Sequence, residues 1–541
     1  MAHSLQGVYA PLPQSLSDSD SEKEISMEPV CTGASNSAMK TSAKLENMSR
    51  LNGHFSFTSL NDDMVKIRKA RPKMSTMRKA AFLFSILLCF LPIMIFLWIL
   101  PCSESNTCPT SIFNWEYQQG NIELKGKINL VHGAFQNSLN LALMYKGGMD
   151  SQKVLKHGVI SFLGSSGAVA WDFQQENEPM EMNCSIIDVN GNGFNDCLVI
   201  DKMGLKAIET ITGEAVWHAH SAQEKSIPQL DMPVKVDDFD SDNVDELLSI
   251  YKKESFLLIS GKTGLALSNM KLSTDCYTIS NLTLVDLVVK YSCTVRRQPT
   301  RYFQIFVSDL KKKYHDSTEV INPQEVDKKL TDNNQVIHET GNCKLMIENL
   351  GPCPHCRSIV SLYRPNNNTK IKELRYDNAY VMTPISYTFK ENSIVSLKGH
   401  VYGFILKIWE WKDSKKLPPT VRVYKRSLPA NNKTYYLNEI SEIGVLITFN
   451  ETDTRIINAS LVDRFQICTN TNNVSNCQPE YLTQRDSLLI ADMDHDRSQE
   501  LISYSSSYVR KEGVDGDGWH LVSFVKVLKL ENELPKLYEY K

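Results

Sequence analysis

Three short stretches set carboxylates and amides at alternate positions. They read "DVNGNGFNDCLVI" from Asp188, "DDFDSDNVDELLSI" from Asp237 and "ADMDHDRSQELISY" from Ala491. Alternate side chains on a curling backbone can converge on one point, and a hard Ca²⁺ ion takes six to eight oxygens. The first loop offers Asp188, Asn190, Asn192 and Asp196. The second offers Asp238, Asp240, Asp242 and Glu246, and the third Asp492, Asp494, Asp496 and Glu500. Acids also decorate hairpin turns that hold no ion. The same ninth-position acid in three copies favours structural calcium over that decoration. Gly193 permits a tight turn in the first loop. Asn243 and Arg497 stand at that place in the other two, so the third is the weakest site expected. "DGDGW" from Asp515 lacks the later acid and reads as a plain turn.

An EF-hand would carry a bidentate Glu at position twelve, where this chain has Val199, Ser249 and Ser503. The flanks agree with that exclusion. "CSII", "PVKV" and "SLLI" precede the loops, and "CLVI", "LLSI" and "LISY" follow them. These are short β-rich runs, so each loop joins two strands.

A second motif alternates with the first. "VISFLGSSGAVAW" ends at Trp171 and "LKAIETITGEAVW" at Trp217, while "FLLISGKTGLALS" keeps the turn but ends at Ser268. The turn glycines are Gly167, Gly213 and Gly264, and the first two acidic loops start 50 residues apart. Each unit thus holds two hairpins. Four strands repeated about an axis make a β-propeller, in which stacked blades bury faces that one blade cannot. The tryptophans are expected to pack between blades. Upstream, "INLVHGAFQNSLNLALMYK" has the same shape but His132, Ala134, Gln136 and Asn140 at the ligand places, a decayed copy. The expected fold is therefore all-β, with a propeller over residues 113–541. That length favours seven blades and permits eight. The stretch between Leu310 and Gln335 is charged and repeat-free, so it reads as an insertion. Residues 340–480 carry strand-like runs without a clean motif.

Residues 80–100, "AAFLFSILLCFLPIMIFLWIL", hold no charge. As a helix they would span roughly 31 Å, the thickness of a bilayer's hydrocarbon core. Lys66, Arg68, Lys69, Arg71, Lys73, Arg78 and Lys79 precede them, and no basic residue follows closely. The positive-inside rule then predicts an uncleaved type II anchor with the C-terminal part outside or lumenal. Residues 1–65 read as a disordered cytosolic tail rich in serine and acids. Its "YAPL" resembles a tyrosine-based sorting signal. Residues 66–79 form a basic juxtamembrane segment and 101–112 a short stalk.

Acceptor triplets for N-glycans beyond the anchor are Asn183, Asn281, Asn367, Asn432, Asn450, Asn458 and Asn473, while Asn47 falls on the cytosolic side. Eleven of the 13 cysteines also follow the anchor, as an oxidising compartment would favour. Candidate local disulfides are Cys184–Cys197, Cys276–Cys293 and Cys468–Cys477. Cys102 is expected to be left over or to pair between chains. "CPHC", Cys353 to Cys356, has thioredoxin-type spacing but lacks the strand-then-helix context of that chemistry.

The D-x-D-x-D-G-x-x-D loops resemble FG-GAP repeats, the units of the integrin alpha-subunit propeller. The Thr-Gly-x-x-x-Trp hairpins look like those of quinoprotein propellers. Tail, anchor and units in this order are similar to the integrin alpha FG-GAP repeat-containing protein 3 group. The resemblance implies structural calcium at the loops from Asp188 and Asp238, with partners bound elsewhere.

A net charge of −3 and the lack of a basic, aromatic-rich patch argue against nucleic-acid binding. The function expected is non-enzymatic: a single-pass membrane protein whose propeller binds a protein or glycan. The alternative is a Golgi-type glycosyltransferase using an Asp-x-Asp metal site. That chemistry needs one such site in an α/β fold, not three in β-repeats.

Overall fold

The structure is a computed structural model. It describes residues 75–99, 114–134, 139–148, 156–273, 276–295, 299–316, 320–326, 335–340, 343–364, 369–389, 401–417, 422–423, 426–427, 434–449, 454–471, 474–511, 518–530 and 533. The tail, its "YAPL", Asn47, the stalk with Cys102, and the turn at Asp515 lie outside them. The chain divides into two compact units, Met1–Ile99 and Leu100–Lys541.

In the first unit, helix α1 covers Thr76–Ile99. Its apolar composition fits the uncharged run, and Phe82, Leu83 and Phe90 are exposed. Among the described residues, however, no helix is long and apolar enough to cross a membrane. The side chains of residues 92–99 are not among those described.

Among its described residues the second unit is all-β apart from one short helix and a 3₁₀ turn. Its described strands fall into seven sheets. Sheet 1 runs from Ile122–His132 through Leu139–Gly147 and His157–Leu163 to Val169–Gln175. Sheet 2 runs from Glu181–Ile187 through Asp196–Asp201 and Gly204–Ile208 to Ala215–His218. Sheet 3 holds Val234–Lys235, Leu247–Tyr251, Ser255–Ile259 and Ala266–Leu272, with Val320–Ile321 added in parallel. Sheet 4 spans residues 278–325 and sheet 5 residues 335–377. Sheet 6 is built on three long strands, Val401–Leu417, Thr434–Phe449 and Thr454–Thr471. Sheet 7 holds Leu488–Ala491, Glu500–Lys511 and Gly518–Lys529. Its next strand comes from the other end of the unit: Trp115–Gly120 pairs antiparallel with Gly518–Lys529, Trp115 opposite Val527.

Apolar clusters sit between successive sheets. Met144, Val159 and Trp171 of sheet 1 meet Cys197, Val199 and Ile208 of sheet 2. Leu198 and Ile200 meet Leu247 and Ile259 of sheet 3. Leu248 and Phe256 meet Val289, Tyr291 and Phe303 of sheet 4. Phe404 and Val445 of sheet 6 cover Leu345 and Val360 of sheet 5. Tyr504 and Val525 of sheet 7 meet Leu124 and Leu141 of sheet 1, which brings the ends together. Central strands such as Asp196–Asp201 are accordingly buried along their whole length. This is a propeller packing.

The Thr-Gly turns do tie neighbours together. Trp171 Nε1 donates to the Thr210 carbonyl of sheet 2 at 2.8 Å, and Trp217 Nε1 to the Gly261 carbonyl of sheet 3 at 2.9 Å. Trp115, on the closing strand of sheet 7, does the same to Gly164 of sheet 1 at 2.8 Å. Each indole lies over the glycine of the turn it bonds: Gly167, Gly213 and Gly264 all have positive φ, and a Cβ there would enter the ring. The register also slips at one equivalent place before each turn, at Ser161/Phe162, Ala207/Ile208 and Leu258/Ile259. Gly213→Ala meets both the left-handed backbone penalty and the indole of Trp171 at 2.6 Å. It is expected to cost about 2 kcal/mol in a chemical-denaturation curve. Gly120→Ala meets nothing within 4 Å and serves as the silent control.

Candidate functional site

The three acidic loops occupy one place in three sheets, joining the first strand to the second. They follow Glu181–Ile187, Val234–Lys235 and Leu488–Ala491, and lead into Asp196–Asp201, Leu247–Tyr251 and Glu500–Lys511. Each backbone turns through two left-handed residues. These are Gly191 and Gly193, then Ser241 and Asn243, then His495 and Arg497. Arg497 thus takes the conformation that glycine allows without strain, at φ 70°.

Within each loop the acids first serve the backbone. Asp188 accepts from the N–H groups of Gly191 and Gly193, at 2.8 and 2.7 Å. Asp238 accepts from Ser241 and Asn243, at 2.6 and 3.1 Å. Asp492 accepts from Arg497 at 3.0 Å. Asn190, Asn192, Asp240, Asp242, Asp494 and Asp496 each accept from the N–H two residues on. Carboxylate oxygens of Asp238, Asp240, Asp242 and Glu246 lie within 4.8 Å of one another, as do those of Asp492, Asp494 and Glu500. Asp496 falls outside that second group. Asp188 and Asp196 share the first loop with two amides, which are oxygen donors of the same hardness.

The ninth-position acid repeats most closely. Asp196, Glu246 and Glu500 are all fully buried. One oxygen of each accepts the N–H of Val189, Phe239 or Met493. The other oxygen, Asp196 Oδ1, Glu246 Oε1 or Glu500 Oε1, has no hydrogen-bond partner. A buried, unsatisfied carboxylate oxygen costs several kcal/mol in order of magnitude. Burial pushes these groups up, opposed by the N–H bond and reinforced by the neighbouring acids: Asp196 to about 6, Glu246 to about 7 and Glu500 to about 7. A divalent ion among the loop oxygens would supply the missing charge.

The surroundings of the loops differ. The Cys184–Cys197 disulfide clamps the two strands that carry the first loop. Helix α2, Val307–His315, lies against the second: Lys311 Nζ donates to the Asp238 carbonyl at 2.6 Å, and Tyr314 touches Phe239. This helix runs into the stretch read as a repeat-free insertion. Its nine residues hold only two buried apolar side chains, too few to mark a period. In the decayed copy, the His132 ring lies tilted against Phe194 of the first loop, with centroids 4.5 Å apart.

The pairs Cys276–Cys293 and Cys468–Cys477 also form. Cys353 and Cys356 pair with each other, in the turn between Cys343–Leu350 and Arg357–Arg364. Of the glycan acceptors, Asn281 and Asn458 are exposed and Asn183 is half-buried. Asn367, Asn432, Asn450 and Asn473 lie outside the described residues.

A separate polar centre lies between sheets 6 and 7, lining a cavity of about 730 Å³. Lys407 Nζ donates to the Tyr504 carbonyl at 2.6 Å and to Ser487 Oγ at 3.0 Å. Glu442 lies 3.7 Å from Lys407 and accepts from Trp409 Nε1 at 2.9 Å and from Arg464 at 3.2 Å. No sequence motif marks this cluster.

Residues 150–287 match a family model. Its description is "FAM234A/B beta-propeller". The matched stretch takes in the first two acidic loops and the Trp171 and Trp217 turns, a propeller assignment that agrees with the sheets described. "Protein FAM234A" of Bos taurus is 23% identical over 211 residues, covering 36% of this chain and 37% of that protein. "Protein FAM234B" of Gallus gallus is 23% identical over 219 residues, covering 37% of this chain and 34% of that one. The chain therefore spans about a third of the length of the curated relatives it matches. Among solved structures, the chain of BBS1N in complex with ARL6DN, soaked with lead, aligns over 76% of this chain and 96% of its own. Its identity is 10% and its TM-score 0.30, too distant to carry an argument.

Proposed function

We propose that this chain is a non-enzymatic, membrane-anchored binding protein, with its propeller outside the cytosol and calcium in two of its acidic loops. Each of the seven sheets is read as a blade, and the FG-GAP likeness of the loops as kinship. The observation that carries the calcium reading is the recurring buried oxygen at Asp196 and Glu246, which has no hydrogen-bond partner in loops already rich in oxygen donors. The role of that ion is to hold hairpins at one end of the blades, leaving the propeller surface to a protein or glycan partner.

Four disulfides support an oxidising compartment, and the exposed apolar side chains of α1 support an anchor. The charge bias before Ala80 supports a cytosolic N-terminus. Topology is tested on intact cells expressing the full chain with a C-terminal tag. Peptide-glycosidase is expected to speed the migration of surface protein, and external protease to remove the tag. Absence of any glycan, with a tag cut only after permeabilisation, would reverse the orientation.

Partner binding is tested by presenting the purified chain to intact cells, with and without calcium. Turnover of nucleotide sugars by the same preparation would replace the binding reading with a transferase one.

A further inference from the structure

The three loops differ in what faces the ninth-position acid from the third strand of the sheet. One position past the Cys197–Ile208 pair stands Glu209, and one past the Leu247–Ile259 pair stands Ser260. Glu209 reaches the first loop, accepting from Asn192 Nδ2 at 3.3 Å. In the third loop the residue directly opposite Glu500 is Lys529. Its Nζ donates to Asp496 at 2.5 Å and to Asp494 at 3.3 Å, and lies 3.9 Å from Glu500 Oε1. The Lys529 side chain is 13% exposed. So an anion, a neutral hydroxyl and a cation stand at one structural place: the anion beside a loop of two acids and two amides, the other two beside loops of four acids.

We infer that Lys529 is the resident cation of the third loop: its tethered ammonium does there what a divalent ion does in the other two, and the loop takes no metal while Lys529 is present. The acids themselves are competent. Asp492, Asp494 and Glu500 converge as their counterparts in the second loop do, and Glu500 Oε1 and Asp492 Oδ1 are buried without a hydrogen bond. An ammonium brings one charge and three donors but cannot coordinate two carboxylates as tightly as Ca²⁺. It excludes the ion by repulsion and by filling the space. The inference deepens the calcium reading of the first two loops and separates from it. It departs from the sequence expectation of a metal set at Asp492, Asp494, Asp496 and Glu500, weakened only by Arg497, by leaving that loop without an ion.

The test counts bound calcium on the full chain in detergent, by equilibrium dialysis. Lys529→Ser copies the second loop, and Lys529→Arg keeps the charge. The Ser variant is expected to bind one more calcium ion per chain than the parent, and the Arg variant no more. An equal count in parent and Ser variant overturns the inference, and so does a parent that already fills three loops. A parent count of zero with a Ser count of one upholds the inference while removing calcium from the first two loops. Should the Ser variant fail to fold, Asp492→Ala in the parent decides: an unchanged count upholds the tethered ammonium, and a count lower by one overturns it.

Discussion

Melting curves of the protein in calcium and in chelator are expected to separate, and Glu246→Gln to draw them together. An ion that binds only the folded state stabilises it by mass action, about 2.7 kcal/mol for each site at 100 times its dissociation constant. The variant has a sign of its own. Without calcium, Glu246 sits buried beside Asp238, Asp240 and Asp242, which push its carboxyl up further. Glutamine keeps the shape and removes a charge from that crowd. Glu246→Gln should therefore melt above the parent in chelator and below it in calcium. Identical curves for the parent in both buffers would leave the first two loops as acidic hairpins only.

Glu442→Gln is expected to cost about 3–5 kcal/mol at neutral pH, the range found when one partner of a buried ion pair is removed. The substitution leaves Lys407 and Arg464 without their shared anion between sheets 6 and 7. Burial would raise the Glu442 carboxyl, but Lys407 and Arg464 outweigh it and hold it below its ordinary range. For a group whose folded pKa is depressed, the contribution to stability is full above its unfolded pKa, about 4.3. It is lost as pH falls through the folded value. Denaturation curves from pH 7 down to pH 3 should show the parent losing this increment and Glu442→Gln lacking it throughout. Lys407→Met in the same chain should return part of the loss, because it removes a buried charge along with the need to pair it. A Glu442→Gln chain as stable as the parent at pH 7 would show that this buried charge cluster of sheet 6 does not hold the fold together.

The loops and the Trp-Gly turns were legible because they recur: the same residue types return at the same strand positions. Recurrence also gave the all-β propeller, and closeness in sequence gave three of the disulfides. Three things hid. Sheet 6 has strands of 17, 16 and 18 residues with no motif, so nothing in the sequence marks where its hairpins turn. Trp115 bonds a turn in a neighbouring sheet, and no motif in its own strand marks it as the outer member of sheet 7. Lys529 is separated from Glu500 by a hairpin, and only the pairing register shows that it faces the acid. The third loop illustrates the general limit. Ligand types can be read along one strand, but the charge that completes or blocks a site can come from the strand opposite.

Trp115 and Val527, paired across the closing sheet, are 412 positions apart. At roughly 5–20 residues per second, a ribosome needs on the order of 20–80 s to deliver the second after the first. For that interval the strand Trp115–Gly120 has no partner, and sheet 1 has nothing against Leu124 and Leu141. The earliest part of the propeller to be made is thus the last to be finished. Until then it presents an open edge to chaperones, so synthesis rate and chaperone supply bear on its yield.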